Sequence, residues 1–360
     1  MKVMTILGTR PEIIRLSLLI KKLDNICENI IVHTGQNYLN SLSSIFFDEL
    51  SIRKPNYFFD IKEHSFGKQV GDMFHKIETL FLQEKPDKVL ILGDTNSALC
   101  SIVAERLSIP VIHMEAGNRC FDLKVPEEKN RKVIDAISSF ALPYTMGSKL
   151  NLLREGIPEQ RIFVSGNPIY EVLKFYEGKI EDSNVLDYLD IKKQNYILVT
   201  IHRSENVDIE ERLCTIINAI DDIQKKYNLK IIFSVHPRTK QRLESYGFII
   251  DNKDIIFSEP FGFFDFVKLE KNASIVLTDS GTVQEECCMF NVPTVTIRDT
   301  TERPETVECG SNIVATVNYN KIIECTDTMF HSNRNWVYPD GYIDSNVSNK
   351  VANFICENRG

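Results

Sequence analysis

The stretch Ile275-Val276-Leu277-Thr278-Asp279-Ser280-Gly281-Thr282-Val283-Gln284-Glu285-Glu286 decides the class of fold. A short apolar run suited to a strand enters a turn of small residues, and a helical pattern follows at once. Small residues at such a turn expose backbone N–H groups at a helix N-terminus, a ready place for a phosphate. A glutamate one to two turns along that helix can meet ribose hydroxyls. An ordinary capped helix would also fit, but Gly281 in the turn and the double glutamate favour a ligand site.

The same alternation recurs in both directions along the chain. Strands are expected at Val3–Leu7, Ile30–Thr34, Lys88–Leu92, Val111–Met114, Tyr196–Ile201, Lys230–Val235, Ile255–Ser258, Ile275–Thr278, Thr294–Ile297 and Ile313–Val317. Helical patterns fall between them, for example Pro11–Leu23, Gly67–Leu82, Glu210–Tyr227 and Phe261–Lys271, with a last helix at Ser345–Glu357. Nearly continuous apolar strands alternating with helices specify parallel sheets covered on both faces, an α/β fold. The 360 residues, 43% hydrophobic, exceed what one core usually holds, so two domains are expected. Gly166-Asn167-Pro168 closes one α/β half, and a polar stretch from Glu177 to Asp190 precedes the fresh strand at Tyr196.

Composition narrows the function. The net charge is −8 with no long basic run, which argues against nucleic acid or an anionic membrane as partner. No window approaches 18 uninterrupted apolar residues, and the N-terminus lacks the pattern of a signal peptide, so a cytoplasmic location is expected. Nine scattered cysteines with no C-x-x-C read as free thiols in a reducing compartment, not as disulfides or a zinc site. The chain lacks G-x-G-x-x-G, G-x-x-x-x-G-K-[ST] and G-x-S-x-G, so no cofactor is expected.

In open parallel sheets ligands bind beyond the C-terminal strand ends. Arg10, in the Gly8-Thr9-Arg10-Pro11 loop, is placed to meet an anion at a helix N-terminus, although a solvated loop arginine would look the same. Asp94 follows a strand in Gly93-Asp94-Thr95, where a plain N-cap is the competing reading. His113-Met114-Glu115-Ala116-Gly117 ends another strand; His113 reads as a core histidine, and Glu115 before Ala-Gly suggests a close backbone approach. Glu127 and Arg131 share a helix face, as a surface ion pair would. His202 and His236 end consecutive strands of the second half; no third metal ligand has suitable spacing, so no metal is expected and substrate contact is preferred. Arg298-Asp299-Thr300-Thr301-Glu302-Arg303-Pro304-Glu305 forms a charged loop beside the expected phosphate site.

Together these motifs resemble the non-hydrolysing UDP-N-acetylglucosamine 2-epimerases over nearly the whole chain and in order. The resemblance rests on Gly8–Glu12, Gly93–Thr95, His113–Gly117, Pro126–Glu128 with Asn130-Arg131, His202-Arg203, Asp279–Gly281 with Gln284–Glu286, and Arg298–Glu305. It implies two Rossmann-like parallel-sheet domains of the glycosyltransferase-B type, with the active site in the interdomain cleft. Domain limits are then expected at 1–168 for the sugar-handling half, 169–344 for the UDP-binding half, and 345–360 for a helix crossing back. A homodimer is implied as well. Three segments depart from the main pattern: Arg15-Leu16-Ser17, His33-Thr34-Gly35-Gln36-Asn37-Tyr38, and Asn118-Arg119-Cys120-Phe121-Asp122. They resemble the branch that makes UDP-N-acetyl-L-fucosamine from UDP-N-acetyl-L-talosamine for surface polysaccharides. The second departure puts the allosteric UDP-sugar site of typical bacterial members in doubt.

The C2 proton of an N-acetylhexosamine has no adjacent carbonyl, so enolisation cannot invert that centre, and no nicotinamide site is apparent. Elimination of UDP to a 2-acetamidoglycal, followed by re-addition, remains, and the resemblance implies the same route. Asp94, Glu115 and Glu127 are the expected acid, base and charge-stabilising groups, which burial and mutual repulsion should set apart in pKa. Arg131 and His236 would orient them or the sugar. Arg10, His202 and the backbone at Ser280, Gly281 and Thr282 suit the diphosphate, and Glu286 suits the ribose. Arg15 and Arg303 complete the expected substrate contacts. Epimerisation of UDP-N-acetylglucosamine to UDP-N-acetylmannosamine is the first competing function; a glycosyltransferase of the same fold and a UDP-sugar sensor are more remote.

Overall fold

The computed structural model describes residues 1–35, 40–61, 65–248 and 252–357, the side chains of 40–44 excepted. Gln36, Asn37 and Tyr38, part of the second departure, lie outside the described residues. The chain divides into two compact units: Met1–Phe175 with Asp340–Gly360, and Tyr176–Pro339.

Each unit is built on one six-stranded sheet. The first unit holds β1 (Lys2–Leu7), β2 (Glu28–His33), β3 (Tyr57–Phe58), β4 (Lys88–Leu92), β5 (Val111–Met114) and β6 (Phe140–Leu142). The second holds β7 (Tyr196–Thr200), β8 (Lys230–Ser234), β9 (Ile255–Ser258), β10 (Ile275–Thr278), β11 (Thr294–Thr296) and β12 (Asn312–Val314). Every pairing is parallel. The expected class, two Rossmann-like parallel-sheet domains, is the one adopted. Continuous apolar runs such as Ile197, Leu198 and Val199, all fully buried, explain why both faces of these strands are covered by helices.

The strand order is β3-β2-β1-β4-β5-β6 in one sheet and β12-β11-β10-β7-β8-β9 in the other. Counted within each unit, these are the same order, 3-2-1-4-5-6. The direction of winding therefore reverses beside β1 and β4 in the first unit and beside β7 and β10 in the second. The carboxyl ends of such a pair are where a parallel sheet of this kind takes a ligand.

Some boundaries differ from the sequence reading. Strands β3 and β6 were not expected, because two or three residues make too short a run to register as a strand. The last strand stops at Val314, short of the expected Val317, because Thr316 turns the chain at φ 49°.

The final helix, Val347–Cys356, belongs to the first unit and packs on the helices Arg10–Ile26 and Pro168–Phe175. It buries Val347, Val351, Phe354 and Ile355. The Ser348 N–H and hydroxyl both donate to Glu171, at 2.7 and 2.6 Å. Lys88 donates to the carbonyls of Ile355 and Glu357 at 2.5 and 3.0 Å. The entry to this segment requires Gly341, at φ 81°, where a Cβ would lie 2.4 Å from the Tyr144 carbonyl oxygen.

Candidate active site

At the reversal point of the first unit the loops after β1 and β4 are held together by Glu12. Its Oε2 accepts from the N–H groups of Gly8 and Thr9 at 2.8 and 2.6 Å and from the Thr9 hydroxyl at 2.8 Å. Its Oε1 accepts from the Thr95 hydroxyl at 2.8 Å. The local cause is a capping box, with Thr9 at the N-cap and Glu12 three residues on. The same carboxylate thus fixes the loops that carry Arg10 and Asp94. Arg10 begins the helix with its guanidinium over the Phe46 ring, 5.7 Å from the centroid.

Asp94 meets Arg131 at 2.5 Å, and Arg131 also meets Glu128 at 2.9 Å. Arg131 is buried; Asp94 keeps part of its surface in solvent. Glu128, fully buried, accepts from the N–H groups of Cys120 and Phe121 at 3.1 and 3.2 Å, so it shapes the Asn118–Asp122 loop. Glu127 lies beside it in the first turn of the helix Pro126–Ile137, half-buried.

Glu115 sits just past β5 at φ 67°, a conformation that side chains other than glycine seldom adopt. It forms a buried ion pair with Arg15 at 2.6 Å and receives longer contacts from Asn118 and Tyr144, both at 3.4 Å. Beneath it lies a hub made by His113 and Asp135, both buried. His113 Nδ1 lies 2.8 Å from Asp135 Oδ1, and Nε2 lies 2.8 Å from the Gly93 carbonyl oxygen. Asp135 Oδ2 accepts from the Gly117 N–H at 3.0 Å and from Arg119 at 2.7 Å. Burial alone would raise the Asp135 carboxyl, but His113 and Arg119 outweigh it and hold it below the usual range. The hub therefore pins the residue before Asp94 and the turn after Glu115 to one point. The reading of His113 as a core histidine captured its burial and missed this role.

In the second unit the reversal point is held by Asp279, which has no exposed surface. It accepts from the N–H groups of His202 and Arg203, at 3.1 and 2.9 Å, and from the Asn206 amide at 3.1 Å. His202 Nδ1 stands 3.3 Å from the same carboxylate. The His202 and His236 rings are 6.2 Å apart between centroids, and His236 also caps its own helix by accepting from the Arg238 N–H. Ser280 is the N-cap, and Gly281 and Thr282 open the helix Gly281–Met289. A Cβ on Gly281 would lie 2.6 Å from Glu302 Oε1, an atom held by Arg203 at 3.2 Å. Arg298 holds the other oxygen of Glu302 at 2.7 Å. Arg303 is buried and ion-paired with Glu285 at 2.6 Å.

Glu286 is buried next to Glu270. Burial and the Glu286 charge hold the Glu270 carboxyl well above the usual carboxylate range. Among the described residues no three His, Cys, Asp or Glu side chains are grouped to hold a metal ion.

The structure thus pairs Asp94 with Arg131, Arg15 with Glu115, and His202 with His236. Glu12, Glu128, Asp135, Glu270 and Asp279 were not among the expected site residues. Glu12 carried a local signal, the Thr9-x-x-Glu12 capping box, and Glu12, Glu128 and Asp279 stand in the motifs of the family resemblance.

Two Rossmann-like units with acidic and basic side chains gathered at their reversal points suit an enzyme of nucleotide-linked substrates. A family model described as UDP-N-acetylglucosamine 2-epimerase matches residues 21–356. The chain is 46% identical over 354 residues to the UDP-N-acetylglucosamine 2-epimerase of Methanocaldococcus jannaschii, with 95% of each covered. It is 34% identical over 364 residues to the UDP-2,3-diacetamido-2,3-dideoxy-D-glucuronate 2-epimerase of Pseudomonas aeruginosa, covering 99% of this chain and 100% of that one. The crystal structure of the M. jannaschii enzyme in complex with UDP-GlcNAc and UDP matches with a TM-score of 0.94 at 44% identity, covering 99% of both chains. The chain therefore belongs to the UDP-N-acetylglucosamine 2-epimerase family. It is an isomerase that epimerises UDP-N-acetyl sugars at C2.

Proposed function

We propose that the substrate is UDP-N-acetyl-L-talosamine and the product UDP-N-acetyl-L-fucosamine. The observation that carries this reading is where the departing residues fall. Arg15 and Asn118, from two of the three departing segments, both contact Glu115, one of the expected acid–base groups. Phe121, in the same loop as Asn118, stands exposed at φ 58°, available to a C6 methyl. Family membership leaves the sugar open, because the Pseudomonas aeruginosa relative is named for a different one.

In this reading a base takes H2 as the C1–O bond breaks and UDP departs. UDP then re-adds at C1 while C2 is protonated from the opposite face. Asp94, Glu115 and Glu127 supply the acid–base and charge-stabilising groups, with Arg131 orienting Asp94. In the second unit the diphosphate is met by His202, the backbone at Ser280–Thr282 and Arg303, with His236 beside His202, and Glu286 takes the ribose; in the first unit Arg10 is the group suited to an anion. No metal or redox cofactor takes part. The free thiols of all nine cysteines support a cytoplasmic location, and the family resemblance supports a homodimer.

A second reading, interconversion of UDP-N-acetylglucosamine and UDP-N-acetylmannosamine, is favoured by the name of the M. jannaschii relative. Turnover of the two substrates at equal concentration separates them. A preference for the talosamine nucleotide of more than about 200-fold, beyond what an apolar contact alone gives, is expected. Efficient conversion of UDP-N-acetylglucosamine would establish the second reading instead. In D2O the product should carry deuterium at C2 with no acceptor present, which a glycosyltransferase would not produce.

A further inference from the structure

The second unit contains a pair of cysteines that the site does not use. Cys288 lies in the last turn of the helix Gly281–Met289, and Cys309 caps the C-terminus of the helix Pro304–Glu308. Their sulfur atoms are 3.8 Å apart. Cys288 is fully buried, whereas Cys309 keeps part of its surface in solvent, between exposed Glu308 and Gly310. Closing the pair to a disulfide requires the sulfurs to approach from 3.8 Å to about 2.0 Å.

We propose that Cys288 and Cys309 form a reversible oxidation site, in which a peroxide oxidises Cys309 and Cys288 resolves it to a disulfide joining the two helices. The division of labour follows from the surroundings. Contact with the Cys288 sulfur and hydrogen bonds at Ser311 and the Cys309 N–H lower the Cys309 thiol to about 6, against the partial burial that raises it. Of the two sulfurs Cys309 is the one within reach of solvent, so it is the one that attacks a peroxide as the thiolate. Attack on one peroxide oxygen gives the Cys309 sulfenic acid and expels the other oxygen as hydroxide or water. The Cys288 sulfur displaces the sulfenic hydroxyl, releasing water, and its proton balances that departure. A dithiol reductant reverses the sequence by exchange.

The bond would staple elements already tied elsewhere. Arg303, which precedes the second helix, is paired with Glu285 on the first, and the Thr301 hydroxyl donates to Gln284 at 2.6 Å.

The test uses the full chain, freed of reductant and exposed to a few equivalents of hydrogen peroxide. Titratable thiols should fall by two from nine, and digestion without reductant should yield one cross-linked peptide pair, Cys288 to Cys309. The midpoint of thermal unfolding should rise by about 5 °C and return on reduction. Cys309→Ser should lose no thiols, and Cys288→Ala should stop at a sulfenic acid that dimedone traps on Cys309. In the unmutated protein Cys309 should react with iodoacetamide at pH 7 faster than exposed Cys356. Nine unchanged thiols, a cross-link between other cysteines, or Cys309 alkylated no faster than Cys356 would overturn the proposal.

Discussion

Asp135 touches no group expected to meet substrate, yet it anchors His113, Arg119 and the Gly117 N–H at once. Asp135→Asn keeps the shape and removes the charge. Breaking so buried a network should cost about 3 kcal/mol, read in urea unfolding. Because the hub sets the loops of Asp94 and Glu115, kcat should fall while the Kd for UDP, whose contacts apart from Arg10 are assigned to the other unit, changes little. A loss of UDP affinity would mark a purely global defect. Asp94→Asn and Glu115→Gln should each lower turnover about 10²–10⁴-fold. They should differ in stability, since Glu115→Gln also weakens the 2.6 Å contact with the buried Arg15 guanidinium. Glu155 is one of the carboxylates that contribute to the acid limit. Arg119 and Lys132 hold its carboxyl down to about 2, against an ordinary 4.5. Its folded pKa is the lower, so its contribution is complete above about pH 4.5 and is lost as pH falls toward 2. Stability measured across that window should drop less steeply in Glu155→Gln than in the unmutated protein.

The elements that were legible in the sequence are those whose signal is local. β4, β5 and β10 announce themselves as apolar runs of four or five residues, and the polar residues just after them fall where a parallel sheet presents its ligands. Strand β3 has two residues and no such signature. The roles of Glu12, Asp135 and Asp279 were hidden for a different reason. Each joins loops that are neighbours only because β1 lies beside β4, β4 beside β5, and β7 beside β10, and no spacing along the chain encodes those adjacencies. Gly281 sits where local and non-local demands meet, since the helix starts there and Glu302, twenty-one residues on, closes over its Cα. Gly281→Ala should push Glu302 off Arg203 and Arg298 and weaken UDP binding about tenfold, by calorimetry, with the fold retained by circular dichroism. Unchanged affinity would place the nucleotide elsewhere.

At the scale of the whole molecule the first unit is discontinuous and the second is not. Deleting 345–360 should therefore damage the first unit alone, by exposing the faces of Arg10–Ile26 and Pro168–Phe175 that the last helix covers. Hydrogen exchange should show lost protection in β1 and β4 and near-normal protection in β7 and β10. Equal loss in both sheets would mean that the units are stable only together. The same discontinuity imposes an order on synthesis. A ribosome delivers Tyr176–Pro339 in one piece, whereas the first unit must wait for the chain to pass residue 340. The half made first on the ribosome is thus the half completed last, and in the interval its uncovered helices are a surface for chaperones.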